Sequence, residues 1–221
     1  MNIDIDQQPS SWREVALVLG GSLLFFAPGL SKPSLRFTNG LMAALIIFEI
    51  VYGILVVVYL HRRGWRLSSI SLPPTKRDAL RALGVFIVGY LVYIGSVLFA
   101  SFFLSTQAAA VANMRVSGAV GFPLVILLAI INPVFEEGLW LAYCVNGPAR
   151  DKPAMTYIFS VGIRTFVHGY QGWLAIFGIA PLGAWFLYYY LQTRRLTPVL
   201  IAHGLYDLTS IIILKYTGYI G

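Results

Sequence analysis

The sequence has few charged residues and a single cysteine for its length. Only 11% of the 221 residues are Asp, Glu, Lys or Arg, while 58% are hydrophobic. A water-soluble domain has about 25% charged and about 45–50% apolar residues. The one cysteine, Cys144, excludes an internal disulfide and any CxxC metal or redox motif. The low charged fraction and the high apolar fraction exclude a water-soluble globular protein.

Long apolar runs are what the sequence has in abundance. A helix needs about 20 apolar residues to cross a hydrocarbon core of ~30 Å, and several runs approach or exceed that length. We therefore predict an all-α, multi-pass membrane protein with about seven transmembrane helices. The predicted spans are Val15 to Leu30, Gly40 to Leu60, Ala82 to Leu104, Val120 to Val145, Ala154 to Tyr170, Trp173 to Leu191 and Pro198 to Leu214.

The net charge of +7 comes mainly from basic residues in the loops between these runs. A nucleic-acid-binding protein clusters its basic residues on one face of a soluble fold, so we expect no nucleic-acid partner. Eleven of the 16 Lys and Arg residues lie on one side of the predicted spans and four on the other. The positive-inside rule then predicts a cytoplasmic N-terminus. We expect the protein to lie in the inner or plasma membrane of a cell.

Seven ionisable side chains fall inside the predicted spans, where each costs about 2.5 to 3.5 kcal/mol on insertion scales. They are Glu49, Glu136, Glu137, Arg164, His168, His203 and Asp207. Such residues mark functional sites by default. Arg164 and His168 are four residues apart, which places both on one helix face. His203 and Asp207 repeat that spacing on another helix.

Asn132 and Pro133 come shortly before the two adjacent glutamates. Pro133 has no amide hydrogen, so a kink here is expected to free a backbone carbonyl near the carboxylates. Glu136 and Glu137 are about 100° apart around a helix axis, so they cannot point at the same spot. We expect one of them to face a cavity and the other to face the wall of that cavity.

Together these residue types are suited to activating a water molecule. A poorly hydrated carboxylate is a usable general base that can deprotonate a water held against a peptide carbonyl. A histidine from a second helix can orient that water or protonate the leaving amine. His203 and Asp207, on a third helix, can stabilise the oxyanion.

Three segments resemble the signature of the CPBP family of membrane proteins, which includes the CAAX prenyl endopeptidases and the bacteriocin-processing and immunity proteins. The family motifs are Glu-Glu-x-x-x-Arg, Phe-x-x-x-His and His-x-x-x-Asn, in that order. The segments are Glu136-Glu137-Gly-Leu-Trp-Leu141, Arg164-Thr-Phe-Val-His168 and His203-Gly-Leu-Tyr-Asp207. The resemblance places the catalytic core at residues 119–215, after N-terminal transmembrane helices at residues 1–118.

The resemblance implies an intramembrane endopeptidase that hydrolyses a peptide bond of a membrane-anchored peptide or protein with glutamate-activated water. It makes Glu136 the general base, His168 its partner at the water, and His203 with Asp207 the oxyanion-stabilising pair. Glu137 belongs to the same catalytic group. The resemblance implies neither a metal nor another cofactor.

Three positions depart from the family motifs. The motif arginine is Leu141, the motif phenylalanine is Arg164 and the motif asparagine is Asp207. We expect Arg164 to replace the missing arginine and to pair with Glu137 or Asp207, because it would otherwise be an unpaired cation in the membrane. An ionised Asp207 only accepts hydrogen bonds, so it donates to an oxyanion only when protonated; otherwise it orients His203 or makes it cationic.

Three other functions remain open at this point. The altered motif positions also fit a non-enzymatic immunity or scaffolding protein. Two histidines and nearby carboxylates can ligate zinc, although no His-Glu-x-x-His spacing occurs. A transporter or proton relay also uses Glu and His, but the short chain without repeats argues against it. Glu49 lies outside the family motifs and is interpreted as structural or lumen-facing.

Overall fold

A computed structural model describes residues 10–30, 35–103, 114–117, 119–148, 152–171 and 173–216, which are helical apart from loops and two short strands. Strands β1 (Leu35–Phe37) and β2 (Met114–Val116) pair in parallel, with Arg36 opposite Arg115. The helices are α1 (Trp12–Val15, Ala16–Gly20 and Gly21–Leu30 in succession), α2 (Asn39–Arg62), α3 (Leu67–Ile70), α4 (Asp78–Phe103), α5 (Phe122–Glu136, Glu137–Tyr143 and Cys144–Asn146), α6 (Pro153–Tyr157, Ile158–Gly162, Ile163–Val167 and His168–Gln171), α7 (Trp173–Thr193) and α8 (Thr197–Tyr216).

Helical segments lie at all seven predicted spans, although Leu104, the predicted end of the third, is outside the described residues. Four of them, α2, α4, α5 and α8, are long and apolar enough to cross a membrane. The all-helical membrane fold is therefore confirmed, while seven crossings stay a prediction. Large apolar side chains on α2 and α4 point outward, as contact with lipid requires; examples are Ile54, Val57, Leu91, Leu98 and Phe102.

Local sequence signals set the ends of two of these helices. Thr38 caps α2 by accepting a hydrogen bond from the Leu41 amide at 3.2 Å, which satisfies one of the free amides of the first turn. Gly64, with φ of +89°, follows the end of α2 in the left-handed conformation that glycine adopts without strain. Pro123 lies in the first turn of α5, where its missing amide hydrogen costs nothing.

Helix α5 is the central helix of the fold. Half (50%) of its membrane-length stretch is buried, compared with 17–33% in the other three long apolar helices. It contributes to all three apolar clusters: Trp140 to the one with α1 and α2, Leu141 to the one with α7 and α8, and Leu128 to the one beneath the strand pair. Glu136 and Glu137 lie on the buried part of α5, so they are surrounded by protein and not by lipid.

Wide, π-type turns interrupt three of the helices. They lie at Ala16–Gly20 in α1, Glu137–Tyr143 in α5 and Ile158–Gly162 in α6, and these three turns pack against one another through the one in α5. Wide turns inside α-helices occur frequently at functional sites. The turn in α5 begins directly after Glu136, so it lies within the Glu136-Glu137 motif.

Helices α5 and α8 approach each other closely one turn before Pro133. Because Pro133 has no amide hydrogen, the carbonyl of Ala129, one turn earlier, has no helical partner. That carbonyl oxygen lies against Gly204 of α8, so close that a side-chain carbon at residue 204 would clash with it. The predicted freeing of a carbonyl thus has a packing consequence: only glycine fits at residue 204, next to His203.

Candidate active site

A cavity of about 100 Å³ lies among α1, α2, α5, α6, α8 and strand β1. That volume holds a few water molecules. The cavity is mainly apolar, but several polar side chains line it. Its lining consists of Phe26, Phe37, Leu45, Glu49, Leu128, Asn132, Glu136, Val167, His168, Tyr170, Asp207, Ser210 and Ile211.

Glu137 lies behind the cavity and is fully buried, with both carboxylate oxygens paired. Its Oε2 lies 2.7 Å from Nη2 of Arg164, and its Oε1 lies 2.6 Å from Nδ1 of His203. Charge-assisted pairs of this length are strong in a water-poor interior. The pairing of Arg164 with Glu137 expected from the sequence is confirmed. Glu137 therefore links α5 to α6 and α8.

The Arg164 side chain is held by apolar contacts as well as by charge. Its guanidinium carbon lies 5.7 Å from the centre of the Phe186 ring, a cation–π distance. Gly183 on α7 makes the room: a side-chain carbon there would lie 3.0 Å from Cδ of Arg164. Nη1 of Arg164 lies 3.7 Å from Oε2 of Glu136, so the same guanidinium faces both glutamates of the motif.

Glu136 is the glutamate that faces the cavity. Its Oε1 accepts a hydrogen bond from Nδ2 of Asn132 at 3.1 Å. Its Oε2 is buried with no hydrogen-bond partner among the described residues. The expected division of the pair, with one glutamate at the cavity and one in the wall, is confirmed. A buried carboxylate oxygen that accepts no hydrogen bond costs free energy and is the kind of exception that calls for a function.

His168 lines the cavity from α6, and one of its ring nitrogens is already engaged. Nδ1 lies 2.9 Å from the carbonyl oxygen of Arg164. A carbonyl only accepts hydrogen bonds, so Nδ1 carries a hydrogen, and Nε2 of the neutral ring is left with a lone pair. The stacked ring of Tyr170, 6.2 Å away, and the edge of Trp140, 6.4 Å away, hold the imidazole.

Both ring nitrogens of His203 face carboxylates. Nδ1 contacts Glu137, while Nε2 lies 3.5 Å from Oδ1 of Asp207 and 3.9 Å from Oε2 of Glu136. Only the imidazolium form donates at both nitrogens. His203 is not part of the cavity lining, and it lies behind Asp207, which is. Oδ2 of Asp207 has no hydrogen-bond partner within the described part of the chain.

Glu49 is the cavity residue whose position the sequence analysis missed. Its side chain is 2% exposed and its Oε1 accepts a hydrogen bond from Nδ2 of Asn132 at 2.8 Å. The same Asn132 nitrogen binds Glu136, so the amide bridges the two carboxyl groups. The available signal was an ionisable residue inside a 24-residue apolar helix. Because Glu49 lies outside the family motifs, that signal alone did not connect it to Glu136.

The charged groups of the site are engaged with one another. Within the described ranges, no group of three or more His, Cys, Asp and Glu residues is arranged to hold a metal ion. The atoms of Glu137 and His203 that could ligate a metal contact each other, and Arg164 adds a cation beside them. The predicted independence from metals and cofactors stays a prediction.

Fold and cavity together define an integral membrane protein with a buried cluster of carboxylates and histidines, contributed by α2, α5, α6 and α8. Residues 118–209 match the family model described as type II CAAX prenyl endopeptidase, Rce1-like, which represents a family of proteases. The match covers somewhat less than half of the chain and contains all three motifs. The resemblance derived from those motifs is confirmed over these residues. No curated protein and no solved structure matches the chain.

Proposed function

We propose that this protein is an intramembrane endopeptidase of the glutamate-dependent type, which hydrolyses a peptide bond of a membrane-anchored peptide or protein. The observation that supports this best is the state of Glu136. Glu136 lines a small, mainly apolar cavity and its Oε2 accepts no hydrogen bond among the described residues, while the adjacent Glu137 is fully paired and holds the surrounding helices together. Of the two adjacent glutamates, Glu136 is therefore the one available to bind and activate water.

In this mechanism Glu136 removes a proton from a water molecule as that water attacks the peptide carbonyl. The carbonyl carbon becomes tetrahedral and its oxygen becomes an oxyanion. Cleavage of the C–N bond then releases the amine, which takes the proton from Glu136. His168 presents the lone pair of Nε2 to the cavity, so it accepts a hydrogen bond from the water and orients it.

Arg164, Glu137 and His203 act as positioning residues in this proposal. Arg164 lies 3.7 Å from Glu136 and limits the range of positions that its Oε2 can take. His203 is fixed through Nδ1 by Glu137, which directs Nε2 toward Asp207 and Glu136. The oxyanion role expected of His203 and Asp207 requires that the Nε2 hydrogen turns from Asp207 to the oxyanion, or that Asp207 is protonated.

The division into residues 1–118 and 119–215, and the cytoplasmic N-terminus, are also part of this proposal. Residues 119–215 contain every motif residue of the site, and Glu49 on α2 adds one carboxyl group from the N-terminal part. The excess of basic residues on one side of the helices supports the orientation. The bilayer then supplies the substrate laterally, and the apolar lining of the cavity contacts its side chains.

The proposal is tested by cleavage of a library of membrane-tethered reporter peptides in liposomes, with and without a prenylated C-terminal cysteine. We expect Glu136→Gln to lower kcat by about 10²- to 10⁴-fold, the contribution of a general base. The matched control is Glu14→Gln, because Glu14 is an equally buried glutamate that contacts Tyr143 and Arg63 outside the cavity. That control should cleave like the wild type.

Each alternative has its own outcome in this experiment. Loss of cleavage with a chelator, restored by zinc, would establish a metal-dependent protease. If the folded wild type cleaves no peptide and cells tolerate Glu136→Gln, the immunity or scaffolding function would replace the proposed one. A cleavage rate that Glu136→Gln leaves unchanged would also refute the glutamate mechanism.

A further inference from the structure

Peptide hydrolysis needs a hydrogen-bond donor aimed at the oxyanion, and three of the polar side chains of this cavity are carboxyl groups. An oxyanion donor typically contributes about 10²- to 10³-fold in kcat. Three carboxyl groups, Glu49, Glu136 and Asp207, line the cavity. An ionised carboxylate donates nothing. One of these groups must therefore be protonated if the cavity is to stabilise the oxyanion through them.

The nitrogen donors of the side chains that line the cavity are already occupied. The Asn132 amide nitrogen donates to both Glu49 and Glu136, which uses both of its hydrogens. His168 uses its Nδ1 hydrogen on the Arg164 carbonyl. The two ring nitrogens of His203 both face carboxylates.

Glu49 differs from the other carboxyl groups of the site in its charge environment. Glu136 and Glu137 each lie within 4 Å of a nitrogen of Arg164, and Asp207 lies 3.5 Å from Nε2 of His203. Among the described residues, Glu49 has no ion pair, and its one hydrogen bond comes from a neutral amide. Burying an unpaired carboxylate is costly. Glu49 is therefore the group that holds a proton in the resting enzyme.

The geometry places this acid beside the proposed general base. Oε1 of Glu49 and Oε1 of Glu136 both bond the one Nδ2 atom of Asn132, at 2.8 and 3.1 Å, so they are at most about 6 Å apart. A water molecule or a carbonyl oxygen fits between groups at that separation. The second oxygen of Glu49, Oε2, is buried without a hydrogen-bond partner in the described ranges.

We propose that Glu49 is a catalytic residue that donates a hydrogen bond, as a neutral carboxylic acid, to the oxyanion. This inference rests on the proposed function. Glu136 takes the proton from the attacking water, and the carbonyl oxygen accepts a hydrogen bond from Glu49 as its negative charge forms. When the C–N bond breaks, the carbonyl re-forms and the amine takes the proton held by Glu136. Glu49 keeps its own proton throughout.

Two substitutions of similar length separate a donor from an ionised group. Glu49→Gln keeps a hydrogen-bond donor and loses the acid, whereas Glu49→Met keeps the unbranched shape and loses the donor. We expect Glu49→Gln to retain kcat within about tenfold of the wild type and Glu49→Met to lose about 10²- to 10³-fold, with little change in KM. Equal, large losses in both variants would overturn the proposal, because an ionised Glu49 would be required.

A rescue experiment distinguishes oxyanion donation from a purely structural role of Glu49. Asp207 lines the same cavity with an unpartnered oxygen, so Asp207→Asn introduces an amide donor there. We expect the Glu49→Met, Asp207→Asn double variant to cleave at least tenfold faster than Glu49→Met alone. If Glu49 only held Asn132 in place, a new amide on α8 would not restore the rate, and the absence of rescue would reject the proposal.

The two proposals fail in distinguishable ways. If Glu136→Gln cleaves normally, or if the wild type cleaves nothing, the proposed function fails and this inference falls with it. If Glu136→Gln is inactive while Glu49→Met cleaves like the wild type, only this inference fails. If Glu49→Met does not fold, as judged by its thermal unfolding in detergent, Glu49→Gln decides alone: a loss above 100-fold rejects donation by a neutral acid.

Discussion

Two clusters of buried charged side chains in this protein differ in how fully their carboxyl oxygens are paired. At the start of α4, Asp78 accepts hydrogen bonds from the Thr75 amide at 2.8 Å and from Arg81 at 2.7 Å, and it lies 3.3 Å from Arg195. One anion there has two cations. The cavity cluster consists of Glu49, Glu136, Glu137 and Asp207. Three of these four carboxyl groups lie within 4 Å of Arg164 or His203, and three carboxyl oxygens have no hydrogen-bond partner among the described residues.

The difference separates a group that stabilises the fold from groups that are available for chemistry. Asp78 connects α4 to the turn between α7 and α8, and its pairs leave nothing for a substrate to bind. Buried polar atoms without partners are rare in folded proteins because each one costs about 1–3 kcal/mol. Three of them around one cavity, on Glu49, Glu136 and Asp207, indicate a site that water or substrate completes.

The largest effect on stability is expected at Glu137, the carboxyl group of the cavity cluster whose oxygens are both paired. Arg164→Met leaves Glu137 buried with only His203 as a partner and should lower the free energy of unfolding by about 3–5 kcal/mol. Reversible unfolding in mixed detergent micelles measures this. The double variant Arg164→Met, Glu137→Leu should recover part of the loss, because the Glu137 carboxylate is no longer buried without its cation, although Nδ1 of His203 then loses its partner. A double variant less stable than Arg164→Met contradicts this account.

A smaller effect is expected at the Asp78 cluster. Asp78→Asn removes the anion shared by Arg81 and Arg195, and we expect the free energy of unfolding to fall by about 2 kcal/mol, since both arginines keep partial access to solvent. Cleavage per folded molecule should not change, because the cluster lies outside the cavity. A fall in kcat without a fall in stability would break the distinction between the two clusters.

The smallest effect on stability is expected at Glu14. Its carboxylate is less completely paired than that of Asp78, but it lies outside the cavity. This buried carboxylate accepts a hydrogen bond from Tyr143 at 3.2 Å, while its cation, Arg63, is 45% exposed. Glu14→Gln should cost about 1 kcal/mol, because the amide still bonds Tyr143 and solvent screens the arginine. The difference from the wild type should shrink when unfolding is repeated at high salt. A salt-independent cost above about 3 kcal/mol would place Glu14 with the fully paired groups.

Much of the site was predictable because helix periodicity is a local property. The four-residue spacings of Arg164 with His168, and of His203 with Asp207, and the roughly 100° between Glu136 and Glu137, follow from the helix alone. The cost of an unpaired cation in a membrane also predicted that Arg164 pairs with a carboxylate. What the spacing left open was which carboxylate Arg164 meets, since that depends on how two helices are rotated against each other.

The sequence by itself determined that this is a helical membrane protein, where its apolar helices lie and which ionisable residues are buried in them, because hydropathy and helical period are properties of single segments. Only the tertiary structure decided that Glu137 has both oxygens paired at short distance and that Glu136 is the glutamate that lines the cavity. It alone brought Glu49 from α2 to the same Asn132 amide that Glu136 bonds. Contacts between distant segments are set by packing, here by the close approach of α5 and α8 at Gly204 and by the room that Gly183 leaves for Arg164.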